Sequence, residues 1–276
     1  MVFRQLGNGG AFDPENGNSA FIFNLGDSYL LFDCGYTVFQ KLRSLSKEDS
    51  FDFKSLKYVW ISHMDDDHMG SLKTLIYYMY FVHRTKLIIM CGQKVFPLLE
   101  SYLSDIDGFI DGGCKIEEKL FILRSVSTGA SLDNNVYISP IENFHFKPSY
   151  GLKIDARTDG INQSVIISSD GIPKMDGPLS YVADIIFHDF SYWNQSDKQV
   201  HMCFDTIPFP YRSNQDDSLH QYQRIFPYHD DKPFAEFWGT VEDYKRLPRF
   251  EQFHKEVEDW WVNKKGLKCK WLETKV

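Results

Sequence analysis

Residues 57–72 read KYVWISHMDDDHMGSL, and this stretch decides the fold. Tyr58-Val59-Trp60-Ile61 is a β-branched and aromatic run, the composition of a strand. It stops at a turn holding His63, Asp65, Asp66, Asp67 and His68, and a helical pattern begins at Ser71. These ionisable residues cannot all face a core, because each unpaired buried charge costs on the order of several kcal/mol. They must gather around something of opposite sign, and His and Asp are ligands that divalent metals take. While the chain is extended, His63 and Asp65 project to one side; Asp67 and His68 follow where it bends toward the helix. The turn therefore offers two pairs of ligands to two adjacent positions.

Composition sets the frame around this turn. The chain has 276 residues, 43% hydrophobic and 25% charged, enough for one large α/β domain or two small ones. Aromatic content is 16%, with 23 Phe and 15 Tyr, which suits a Phe-rich core or rings that stack on nucleobases. A net charge of −8 argues against a broad phosphate-neutralising surface, so long nucleic acid is disfavoured while a small anion held by metals stays compatible. The five cysteines, Cys34, Cys91, Cys114, Cys203 and Cys269, form no Cys-x-x-Cys pair and read as reduced thiols. The polar, glycine-rich start does not read as a signal peptide, and no apolar stretch is long enough for a membrane span. Cytoplasmic residence is the expectation.

Upstream of the turn, Phe3 to Phe12 reads as a strand and a glycine loop. Asn18 to Phe23 and Tyr29 to Asp33 read as a hairpin around Leu25-Gly26-Asp27. Downstream, Leu72, Leu75, Ile76, Met79 and Val82 share a helical face, with His83 at its end as a C-terminal cap. Lys86 to Cys91 follows as a strand, Val95 to Leu103 as a helix and Ser104 to Gly113 as a surface loop, an alternation that supports a layered α/β architecture. Val136 to Phe146 and Val165 to Ile167 are further strands. From Phe234 the pattern is mostly helical, with Phe250, Phe253, Val257 and Trp260 on one face.

The motif His63-x-Asp65-x-Asp67-His68 resembles the His-x-His-x-Asp-His signature of the metallo-β-lactamase superfamily, with Asp65 where most members have His. The later segments resemble its RNase Z branch. His145, before Phe146-Lys147-Pro148-Ser149-Tyr150-Gly151, is similar to the third metal motif. Asp170 in Ser168-Ser169-Asp170-Gly171 is similar to the metal-bridging Asp. His188-Asp189-Phe190 stands where that branch has His-Glu-Ala, and His201, followed by Met202-Cys203, where it has His-Ser-Thr. His229 closes a final strand, Arg224 to Tyr228.

The resemblance implies a metallo-β-lactamase fold, an αββα sandwich of two mixed β-sheets flanked by helices. It would be one domain over residues 1–276, with the helical segment from about 234 to 276 packed on it. It also implies two divalent metal ions, Zn²⁺ or Mn²⁺. His63, Asp65 and His145 would hold the first and Asp67, His68 and His229 the second, with Asp170 between them and Asp33 bracing the loop from behind. Two metals roughly 3.5–4 Å apart lower the pKa of a shared water and stabilise the oxyanions of an in-line displacement. Asp67, His201 and His188 form the expected catalytic set, the two histidines as candidate proton donors to the leaving alkoxide.

Only Phe146 to Ser169 separate His145 from Asp170, which leaves no room for the arm by which tRNA-trimming members grip tRNA. Relatives without the arm include cyclic-nucleotide phosphodiesterases, the phage anti-Pycsar enzymes among them. The expected activity is therefore hydrolysis of a small, cyclic nucleotide phosphodiester by a metal-bridging hydroxide, in a homodimer. The alternative is an arm-less RNA or DNA nuclease with Lys147, Lys153, Arg157 and Lys174 as a basic stripe. A lactonase or thioesterase, and a metal-free sensor, rank lower.

Overall fold

The computed structural model describes residues 1–12, 16–106, 110–111, 114–115, 119–133, 135–158, 160–174, 183–189, 224–228 and 239–240. His201, His229 and the stretch from 234 onward, apart from Gly239–Thr240, lie outside the described residues.

The first half runs β1 (Val2–Gly7), β2 (Ala20–Asn24), β3 (Tyr29–Phe32), α1 (Val38–Lys47), β4 (Leu56–Ile61), α2 (Asp66–Met69), α3 (Leu72–His83), β5 (Leu87–Gly92) and α4 (Phe96–Leu103). A short pair, β6 (Ile110–Asp111) and β7 (Cys114–Lys115), leads to β8 (Phe121–Val126) and β9 (Ala130–Asp133). The second half is β10 (Val136–Phe144), β11 (Ser149–Thr158), β12 (Ile161–Ile167), β13 (Ile172–Pro173), β14 (Ile185–Asp189), β15 (Arg224–Tyr228) and β16 (Gly239–Thr240).

Two mixed sheets result. One has the order β16-β1-β2-β3-β4-β5-β8; the other has β13-β10-β11-β12-β14-β15, with β9 beside β10. In the first, β3, β4, β5 and β8 are parallel, with Trp60 between Phe32 and Met90. Strands buried on both faces lose the apolar–polar alternation, which is why Leu56–Ile61 and Leu87–Gly92 read as near-continuous apolar runs. The amphipathic helices cover this sheet: α1 lies against β1 and α4 against β8, while α3 buries Leu72, Leu75, Ile76 and Met79. Helix α3 stops at Arg84, which takes the left-handed conformation (φ 56°) and donates its N–H to Met79 O. His83, expected to cap the helix, stacks on Phe53 with ring centres 5.5 Å apart.

Aromatic rings join the sheets. Phe187 of β14 packs 4.5 Å from Phe21 and 5.6 Å from Phe3, so the high Phe content serves the inter-sheet core. The indole of buried Trp60 donates to Tyr150 O at 3.3 Å, tying β4 to β11.

Details differ from the sequence expectations, among them β6 inside the stretch expected to be a surface loop. A helical turn already forms at Asp66–Met69, ahead of the helix, and it carries Asp67 and His68. Gly239–Thr240, in the segment expected to be mostly helical, is a strand paired antiparallel with Val2 and Phe3. A two-residue edge pairing has no periodicity to announce it. Among the described residues no helix is long and apolar enough to cross a membrane.

Candidate metal centre

The parallel strands of the two sheets present their carboxyl ends to one another, the place where open α/β sheets carry their sites. His63 follows the end of β4, His145 the end of β10 and Asp170 the end of β12. Tyr150 N donates to Ser62 O at 3.0 Å, which fixes the two loops together.

Asp33, just beyond β3, is the inner anchor. Its backbone is left-handed (φ 62°), a conformation that costs a non-glycine residue on the order of 1 kcal/mol and persists where surrounding bonds enforce it. Oδ1 accepts from Ser62 N at 2.8 Å; Oδ2 accepts from Ser62 Oγ and from His68 Nδ1, each at 2.8 Å. Because Ser62 Oγ gives its proton to Asp33, it accepts from His63 Nδ1 at 2.9 Å. One fully buried carboxylate thus sets the tautomer of both imidazoles and turns both Nε2 atoms outward.

What those two atoms face is consistent. His63 Nε2 lies 3.4 Å from Asp65 Oδ2 and 3.8 Å from Asp170 Oδ2. His68 Nε2 lies 3.4 Å from Asp67 Oδ2 and 3.3 Å from Asp170 Oδ1. Asp170 therefore stands between the histidines with one oxygen toward each. Two groups have ligand atoms within 4.8 Å of one another: His63, Asp65 and His145, and His63, His68 and Asp170. Of the seven expected ligands, six are brought together. His229, next after the last residue of β15, lies outside the described residues.

The turn that delivers Asp170 is held by residues the sequence did not single out. Asn143 Nδ2 donates to Ser168 O at 2.6 Å and to Asp170 O at 3.2 Å, and Ser149 Oγ donates to Asp170 O at 2.8 Å. Asp189 Oδ2 accepts from Gly171 N at 3.1 Å. Ser169 is left-handed (φ 57°), the second strained residue beside the site. Ser62, Asn143 and Ser149 carry no signal in sequence beyond being polar residues next to strand ends.

The electrostatics follow from these contacts. Burial lowers the His68 pKa, but Asp170 and Asp33 outweigh it and hold the imidazole well above its usual value. Burial raises Asp65; the neighbouring His63 imidazole and Lys147 ammonium overcome it and bring the carboxyl to about 2. His188 is in neither ligand group. Its ring is buried, Nδ1 donates to Asp189 O at 2.9 Å, and burial lowers its pKa to about 4. Of the four basic side chains, Lys147 contacts Asp65, Lys174 contacts Glu142 and Lys153 lies 3.5 Å from Asp155. Three of the four thus face carboxylates.

A divalent cation fits this donor set. His63 Nε2 is buried and makes no hydrogen bond among the described residues, and the carboxylate oxygens around it are what an imidazole–carboxylate metal site supplies.

The family described as "Anti-Pycsar protein Apyc1" matches residues 1–238. An anti-Pycsar protein Apyc1 of Paenibacillus sp. (strain J14) is 28% identical over 159 residues, 56% of this chain and 63% of that protein, so the chain spans less than two thirds of its length. The protein of the same name from Bacillus phage 010DV004 is 25% identical over 252 residues, covering 83% of this chain and 88% of that protein. Among solved structures, the metallo-β-lactamase fold protein YhfI from Bacillus subtilis superposes with a TM-score of 0.60 at 17% identity, over 89% of this chain and 90% of that one. The two mixed sheets with helices on the first are the metallo-β-lactamase fold.

Proposed function

The chain belongs to the anti-Pycsar Apyc1 family, and from that premise we propose that it is a metal-dependent phosphodiesterase that hydrolyses a small cyclic nucleotide. The observation that carries this reading is the position of Asp170, one oxygen 3.8 Å from His63 Nε2 and the other 3.3 Å from His68 Nε2. A carboxylate set between two imidazoles, with Asp65 and His145 on one side and Asp67 on the other, suits a pair of cations. Bound there, two divalent ions such as Zn²⁺ or Mn²⁺ supply Lewis acidity toward a phosphoryl oxygen and an acidified water.

The chain's own residues prepare the site for that. Asp33 and Ser62 hold both Nδ1 atoms, so each imidazole directs its Nε2 at the position a cation would take. The backbone grip on Asp170 by Asn143 and Ser149 keeps its carboxylate between the histidines without help from substrate. His188, buried and with a pKa near 4, holds no spare proton near neutrality. We therefore assign proton delivery to the leaving oxygen to His201.

Exposed Phe144 and Phe146, on either side of His145, offer faces on which a base stacks. The pairing of Lys147, Lys153 and Lys174 with carboxylates leaves the expected basic stripe little free cationic charge for a long phosphate backbone and weighs against the nuclease alternative. The reading retains the homodimer that the resemblance implies.

The test is an assay of the full chain, with Mn²⁺ or Zn²⁺, against a panel of cyclic mononucleotides and against single-stranded RNA. Turnover of a cyclic mononucleotide is the expected result. Cleavage of RNA with no turnover of any cyclic substrate would replace this reading with the nuclease.

A further inference from the structure

Among the described residues, Lys147 is the basic side chain that reaches the candidate metal ligands. It leaves the same strand end as His145, and its Nζ contacts Oδ1 of Asp65. Its side chain is 46% exposed, and the strand end that carries it is held in place. Pro148 follows Lys147 directly, and Tyr150 N is bonded to Ser62 O at 3.0 Å. The ammonium also sits 5.2 Å from the centre of the Phe146 ring. The two oxygens of Asp65 therefore have different neighbours, Oδ1 the ammonium and Oδ2 the imidazole of His63 at 3.4 Å.

We propose that Lys147 is a positioning residue for metal binding: by occupying Oδ1 it leaves Asp65 a single oxygen, Oδ2, to offer a cation beside His63 and His145. The inference rests on the metal-centre reading above. A carboxylate with both oxygens free can take a cation through one or both. The second mode adds a bond where a hydrolytic metal needs an open position for water or substrate. Asp65 is only partly buried, so without a partner on Oδ1 its carboxylate is free to turn both oxygens to a cation. Lys147 does so, and it also offsets the charge of a third carboxylate in a site that already holds Asp67 and Asp170.

The experiment uses the full chain, stripped of metal and reloaded with Co²⁺, whose visible absorption weakens as its coordination number rises. Lys147→Met should bind Co²⁺ and lose intensity in these bands, with kcat lowered more than KM for the cyclic substrate. Lys147→Arg, which still donates to Oδ1, should keep the parent spectrum. In an Asp65→His background, where the ligand has one ring nitrogen to give, Lys147→Met should leave the spectrum unchanged. An unaltered spectrum for Lys147→Met in the parent background would overturn the proposal. If Lys147→Met does not fold, a weakened spectrum for Lys147→Arg, or one that shifts with Lys147→Arg in the Asp65→His background, does so instead. Failure of the unsubstituted chain to bind Co²⁺ would instead overturn the metal-centre reading, and this inference with it.

Discussion

Asp33 is fully buried and yet governs two candidate ligands. Replacing it by Asn removes one of the carboxylate oxygens on which Ser62 and His68 converge, so the imidazoles lose their enforced tautomers. Loss of such an outer partner typically lowers metal affinity by about 10–100-fold. Asp33→Asn should do this with the fold retained, as read by metal titration beside circular dichroism. His188 governs a different property. Its folded pKa of about 4 lies below the ordinary 6.5, so the unfolded chain binds the proton more readily between those values. The stability it contributes is complete above pH 6.5 and is lost as the pH falls toward 4, on the order of 3 kcal/mol for this fully buried ring. His188→Gln should flatten the acid limb of a plot of chemical-denaturation stability against pH. An unchanged acid limb would contradict the assignment.

At the scale of elements, the site depends on two sheets being held in register by aromatic packing. Phe187→Ala removes the ring that bridges Phe3 and Phe21 and should cost about 3–5 kcal/mol, measured by urea unfolding. Gly35 marks a second constraint, since a Cβ there would lie 1.9 Å from Asp67 O, between the loop after β3 and the turn at Asp66–Met69. Gly35→Ala should therefore displace that turn and reduce metal binding together with stability. Legibility from sequence follows the same division. The turn from His63 to His68 could be read directly because its spacing is local, and the parallel strands because burial on both faces leaves apolar runs. His145 and Asp170 reach the site through pairing of β10 with β11 and of β11 with β12. Nothing local marked them, and only the order of motifs shared with a family pointed to them. Ser62, Asn143 and Ser149 act through hydrogen bonds to groups that the fold brings near them, which leave no pattern at any period.

For the molecule as a whole, the arrangement is two mixed sheets whose parallel strand ends meet, with one carboxylate between two oriented imidazoles. Its acidic balance, with Lys147 and Lys174 set against carboxylates, weighs against a broad phosphate-binding surface. The most direct test is to titrate metal-free full-length chain with Mn²⁺ while following bound metal and hydrolysis of a cyclic mononucleotide in the same samples. Activity should rise as a second ion per chain is taken up, and Asp170→Asn should lose both the second ion and the activity. Full activity with one ion per chain, or an Asp170→Asn variant that hydrolyses as the parent does, would contradict the account.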